Sequence, residues 1–165
     1  LDPAPGTTDD QRWLDVDVDE QVLIAYQGSR PVFATLVSTG KKRTPTPVGL
    51  YRVTAKASTT DMASEADEAQ GYDVADVPWA MRFRRGLYVH AAYWHDRFGQ
   101  ARSHGCVNVS PRDARFLYTW LHPQVPPGWL ELEVEQGPWV RVRSHKRPQP
   151  KPYDYRRETR ARRSR

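Results

Sequence analysis

The segment VHAAYWHDRFGQARSHGCVN, Val89 to Asn108, holds the single cysteine of the chain, Cys106, and three of its five histidines, His90, His95 and His104. A thiol among imidazoles can be a nucleophile. It then needs a base to make the thiolate and N–H donors to hold the oxyanion. His90, at the end of an expected strand, and Cys106, at the end of the returning loop, would meet across a cleft. Gly105 lets the backbone turn so that amides near Cys106 face a substrate carbonyl. No Asp or Glu stands where a third catalytic member would, so a backbone carbonyl, that of Ala91, would orient His90. Histidine precedes cysteine, the reverse of the papain order.

Three other readings of Cys106 stay open on spacing alone. His90, His95, His104 and Cys106 are enough donors for a metal. However, one residue separates His104 from Cys106, whereas zinc sites space a local pair by about two to four. A buried structural thiol is common, yet Gly105, His104 and Asn108 make this a polar, loop-like setting. A disulfide to another chain is the remaining reading. One cysteine makes no internal disulfide and does not settle the redox compartment.

The elements that must position these residues are mostly strands. RWLDVDVDEQVLIAYQGSRPVFATLVSTG alternates apolar and polar residues: Trp13 to Val18, Val22 to Tyr26 and Val32 to Ser38 read as strands around a turn at Gln27–Ser29. A fourth strand is expected from Leu50 to Ala57 after the proline-marked loop. Asp61 to Asp76 carries six acids and no Lys or Arg. It reads as a long excursion with room for a short helix, placed as a lid or as a solvated loop. MRFRRGLYVHAA reads as a hairpin with Arg85-Gly86 in the turn. SPRDARFLYTWLH reads as one helix: Ser110 caps it, Pro111 fits its first position, and Asp113 completes a capping box. Ala114, Leu117 and Leu121 share its apolar face, with Phe116 and Trp120 beside it. GWLELEVE and WVRVR close the sheets.

The totals bound the function. At 165 residues the chain supports one domain with a moderate core. No apolar run reaches the roughly 18 residues a membrane helix needs. LDPAPGTTDDQ lacks a signal-peptide pattern, so either the chain is cytosolic or a targeting segment is missing from it. The net charge of +5 hides an asymmetry: 11 of the 25 Lys and Arg fall between Arg141 and Arg165, against Asp154 and Glu158. This basic arm suits nucleic acid, anionic lipid or an anionic wall polymer, or is a solvated tail. No nucleic-acid reading motif accompanies it, so no specific nucleic acid is expected.

SHGCVN, preceded by His90 and by Gly99, resembles the signature of the L,D-transpeptidase (YkuD) catalytic domain family. TPTPVGLYRV, DVPWAMRF and SPRDARFLYTWL resemble segments around that signature, and the resemblance runs from about Trp13 to Val134. It implies a mainly β, sandwich or mixed-sheet domain with one clear helix after the catalytic loop. The expected divisions are an N-terminal segment 1–11, a catalytic domain 12–143 and a basic, proline-containing tail 144–165.

Carried over by residue, the resemblance makes Cys106 the acylated nucleophile and His90 its base. Ser103, His104 and Gly105 shape the pocket and oxyanion hole, and Asn108 fixes the loop or a substrate polar group. Ala91 departs from the Gly, Ser or Thr of many relatives. The implied reaction is acyl transfer on peptidoglycan stem peptides, with terminal D-alanine leaving and an amine accepting, and it needs no metal or organic cofactor. Water, a free D-amino acid or a protein amine are alternative acceptors, and a non-catalytic wall-binding module is the other alternative. Tyr88, Tyr93, Trp94 and Arg102 suit a peptide with free carboxylate and amine groups, or plain packing; His95 reads as a surface residue. Location outside the cytoplasm follows from the substrate, and the basic arm would then hold anionic wall or membrane polymers.

Overall fold

The computed structural model describes residues 7–63 and 73–156. Ten strands and one helix follow in order: β1 (Arg12–Asp17), β2 (Val22–Gln27), β3 (Arg30–Leu36), β4 (Gly49–Arg52), β5 (Ala55–Ala63), β6 (Asp73–Arg84), β7 (Leu87–Ala91), β8 (Val107–Val109), α1 (Pro111–Trp120), β9 (Glu131–Glu133) and β10 (Trp139–Arg143). They form two mixed five-stranded sheets, ordered β3-β2-β1-β10-β4 and β8-β7-β6-β5-β9. The pairs β1–β10 and β7–β8 are parallel. Leu14, Val16, Val140 and Val142 from the first sheet meet Met81, Phe83, Val89 and Val107 from the second in one core, closed by Leu117 and Leu121. None of the helices described is long and apolar enough to cross a membrane.

The expected strand Leu50–Ala57 is two strands in different sheets. Val53 N–H donates to Pro138 O at 2.9 Å and Thr54 N–H to Arg82 O at 2.7 Å, so the chain changes sheets there. A fully buried Val53 spans the gap, and an apolar–polar pattern that runs unbroken through the crossing does not reveal it.

The acidic excursion is shorter than the sequence suggests. Strands β5 and β6 extend into it, pairing Met62 with Val74 and Ala63 with Asp73. Its tip, 64–72, and the expected short helix lie outside the described residues. The hairpin turn does fall at Arg85-Gly86, with Gly86 at φ +70°.

Helix α1 begins at Ser110, whose Oγ accepts from Asp113 N–H at 3.3 Å. The Asp113 carboxylate, expected in a capping box, accepts from Thr35 Oγ1 at 2.6 Å and ties the helix to β3. At the other end lies a fully buried Lys56. Its Nζ donates to Tyr118 O at 2.7 Å, Leu121 O at 2.6 Å and Pro123 O at 2.9 Å.

The basic run at the C-terminus starts as structure. Arg143 donates to both Asp15 and Asp17, Arg141 donates to Asp15, and His145 Nε2 stands 2.8 Å from Asp17. Further on, Leu50 N–H donates to Lys151 O and Tyr153 N–H to Leu50 O, covering the free edge of β4. Tyr155 Oη accepts from Arg52 N–H at 2.7 Å and lies 2.7 Å from Phe83 O, so one phenol bridges the two sheets. The arm is therefore tied to the domain through Arg141, Arg143, Tyr153 and Tyr155, while 145–149 between these ties is exposed. Tyr155→Phe removes that bridge and is expected to lower stability by about 1 kcal/mol, read as a shift in urea midpoint.

Candidate active site

Strand period places the chemistry on one face. His90 on β7 is the register partner of Asn108 on β8, and Cys106 precedes Asn108 by two residues, so the three side chains share a side. They line one cavity of about 220 Å³ with Ser103, His104, Arg102, Trp94, His95, Met62 and Val74. Cys106 is 6 % and His90 2 % exposed.

His90 Nδ1 stands 2.8 Å from Ala91 O. A carbonyl only accepts, so Nδ1 carries the hydrogen and Nε2 keeps its lone pair. Burial pushes His90 down to about 4, against a favourable bond to Ala91. Burial pushes the Cys106 thiol up to about 11, opposed by the Tyr88 backbone, which favours the thiolate. Cys106 Sγ lies 3.6 Å from Gly86 O in the β6–β7 turn. At neutral pH Cys106 therefore rests as the thiol and His90 as the neutral imidazole, with its lone pair on Nε2.

The loop 103–106 is braced from both sides. Ser103 Oγ donates to Cys106 O at 2.5 Å and accepts from Gly105 N–H at 3.1 Å. Thr46 Oγ1 donates to Gly105 O at 2.8 Å and accepts from Gly40 N–H at 2.9 Å. Lys41 N–H donates to Ser103 O, and Asn108 exchanges backbone bonds with Ser38. The segment 38–46 is thus the scaffold of the cysteine loop, a role the sequence reading did not assign. Gly105 sits at φ +124°, and a Cβ there would stand 2.9 Å from Leu87 Cδ2. Gly105→Ala is expected to cost about 1–3 kcal/mol of stability, measured as a drop in urea midpoint.

Of the residues expected at the substrate, Trp94 and Arg102 line the cavity. The His90 and Trp94 ring centroids are 5.8 Å apart. Tyr93 is 56 % exposed and its Oη donates to Ala75 O at 2.8 Å, pinning β6 to the loop after β7. Tyr88 packs against Ala57, Met62, Val77 and Ala80. Neither is among the cavity-lining residues. His95 does line it, against its reading as a surface residue. Met62 and Val74 bring the β5–β6 hairpin to the cavity wall, a contact that needs the strand pairing to be known. Among the described residues, no group of three or more His, Cys, Asp or Glu is placed to hold a metal ion.

The L,D-transpeptidase catalytic domain family (YkuD) matches residues 11–142, and the chain belongs to it. Probable L,D-transpeptidase 3 of Mycobacterium tuberculosis is 39% identical over 89 residues, covering 49% of this chain and 32% of the relative. L,D-transpeptidase 2 of the same species is 32% identical over 120 residues, covering 68% of this chain and 29% of the relative. The chain thus spans about a third of the length of these relatives. Among solved structures, an L,D-transpeptidase from Mycobacterium smegmatis superposes with a TM-score of 0.67 at 26% identity, over 81% of this chain and 58% of that one. L,D-transpeptidase 3 of M. tuberculosis in complex with a faropenem-derived adduct superposes at 0.64 with 27% identity, over 80% of this chain and 60% of that one.

Proposed function

We propose that this domain is a peptidoglycan L,D-transpeptidase that works through a cysteine acyl-enzyme. The observation that carries the reading is that Cys106 and a neutral His90, whose Nε2 is left as an acceptor, line one cavity on one face of β7–β8. Cys106 Sγ attacks the carbonyl at the L-centre of a stem-peptide diamino acid, and its proton passes to His90 Nε2. The Cys106 N–H helps hold the oxyanion; the Gly105 N–H is already taken by Ser103. As the C–N bond breaks, His90 returns the proton to the departing D-alanine amine, leaving a thioester. An amine of a second stem attacks the thioester, His90 takes its proton, and Cys106 is regenerated as the thiol with a new amide crosslink.

Burial favours the neutral pair on both sides, so proton transfer has to accompany attack. Trp94 and Arg102, which line the cavity, would contact the stem. The same thioester would give carboxypeptidase, exchange or protein-attachment products with other acceptors. A substrate in the wall places the protein outside the cytoplasm, and the basic residues of the C-terminal arm suit anionic wall or membrane polymers.

Mass spectrometry of disaccharide-tetrapeptide incubated with the protein tests this. Crosslinked dimer with release of D-alanine, and a faropenem adduct on Cys106, are expected in the wild type and absent in Cys106→Ala. Products that persist in Cys106→Ala would remove the nucleophile assignment.

A further inference from the structure

Both ring nitrogens of His95 are engaged. Arg97 N–H donates to His95 Nδ1 at 3.2 Å, and Nε2 stands 3.1 Å from the side-chain amide of Asn108. A backbone N–H only donates, so Nδ1 is without hydrogen, and a neutral imidazole then carries it on Nε2. The Asn108 atom facing Nε2–H must be the acceptor, Oδ1, since an NH2 group there would set two donors against each other. The two ends of a side-chain amide are alike in shape, and only their hydrogen bonds assign them. That orientation leaves the NH2 group for the cavity that Asn108 shares with Cys106 and His90.

We infer that His95 is a positioning residue: it holds the Asn108 amide with its NH2 toward the cavity, as donor to a carbonyl or carboxylate oxygen of the acyl donor. Asn108 has little other freedom. Its backbone is bonded to Ser38 on one side and lies in the β7–β8 ladder on the other, so only the side chain remains to be set. The His95 loop is itself held: Ser38 Oγ donates to Arg97 O at 3.0 Å, Gly99 N–H donates to Val37 O, and the His95 and Phe98 rings are 4.9 Å apart. Partial burial and then Arg102 hold His95 below the usual histidine value, with Asp96 opposing, which favours the neutral ring. A protonated ring would turn Nδ1–H against Arg97 N–H. The role of the NH2 rests on the acyl-transfer reading; the tautomer does not.

The test has two arms. Long-range 1H–15N correlation of the labelled protein at neutral pH reads the tautomer directly, with the His95 signals identified by their loss in His95→Gln. The Nε2–H form is expected; the Nδ1–H form would overturn the inference. In the second arm, the rate of faropenem adduct formation is followed by mass spectrometry. Glutamine keeps a donor where Nε2–H stood, so His95→Gln should stay within about threefold of wild type. Glutamate has only acceptors and would turn the amide round, so His95→Glu and His95→Ala should be slower by about tenfold, the worth of one well-placed hydrogen bond. In an Asn108→Ala background, adding His95→Ala should change nothing further. Equal rates for the Gln and Glu variants, or additive losses with Asn108→Ala, would overturn the positioning role. A wild type that takes no adduct would instead fail the acyl-transfer reading, and the tautomer would still decide the inference.

Discussion

His90→Gln is expected to slow acylation of Cys106 by about 10²–10⁴-fold, the usual worth of a positioned general base. Glutamine can still reach the Ala91 carbonyl that now binds Nδ1, but it cannot take a proton from the thiol. The thiol is held up at about 11 by burial, so without a base almost none of it is ionised at neutral pH. Faropenem adduct formation, followed by mass spectrometry across pH, separates two accounts. Loss of the base predicts a rate in His90→Gln that keeps climbing above pH 9, as the thiol ionises unaided. A wild-type-like rate at pH 7 would mean that the thiolate forms by another route.

The same substitution has a thermodynamic signature of known sign. Burial lowers His90 from 6.5 to about 4 in the folded protein. Between those values the unfolded chain binds the proton and the native one does not. Native stability is therefore lost as pH falls from 6.5 to 4, by on the order of 3 kcal/mol from this group. As pH falls through that window, the urea midpoint of wild type should drop relative to that of His90→Gln. Parallel curves would show that His90 is not held neutral by the fold.

The chemistry of the site was more legible in the sequence than the frame around it, for a physical reason. A thiol, an imidazole and a turn glycine are marked by residue type, so Cys106, His90 and Gly105 stand out without any structure. The helix was legible at its start, because Ser110 and Pro111 act locally. What depended on distant pairing was hidden. Val53 changes sheets in a run that alternates evenly. β8 is only three residues long, too short for periodicity to register. His95 looks solvated until Asn108 is brought beside it by β7–β8 pairing, and Tyr153 and Tyr155 look like tail residues until β4 offers an open edge. Charge misled in the same way. Asp15 and Asp17 fill the polar positions of an alternating strand, yet both are buried because Arg141, Arg143 and His145 return to them on the neighbouring parallel strand and just beyond it.

Lys56 is the extreme case of that concealment, and its loss is expected to cost about 2–4 kcal/mol of stability. The side chain is fully buried, and its three hydrogens match the carbonyls of Tyr118, Leu121 and Pro123 at and beyond the end of α1. Those carbonyls have no following helical turn to bond them, and the negative end of the helix dipole favours a cation there. Lys56→Met keeps most of the volume and removes the donors, so it isolates the polar contribution from the packing one. The ammonium also lies near the Tyr118 ring, 4.6 Å from its centroid, a contact the methionine would not replace. Burial pushes Lys56 from 10.5 down to about 8. The unfolded chain then holds more protons than the native one between those values, so this group makes wild-type stability rise with pH from about 8 to 10.5. Urea midpoints measured across that range should show the rise in wild type and its absence in Lys56→Met. A variant as stable as wild type at pH 7 would mean that the end of α1 is satisfied without the lysine. Because α1 packs on β6 and β7, the strands that carry the β6–β7 turn and His90, the loss should also loosen the site, read as faster alkylation of Cys106 in the variant.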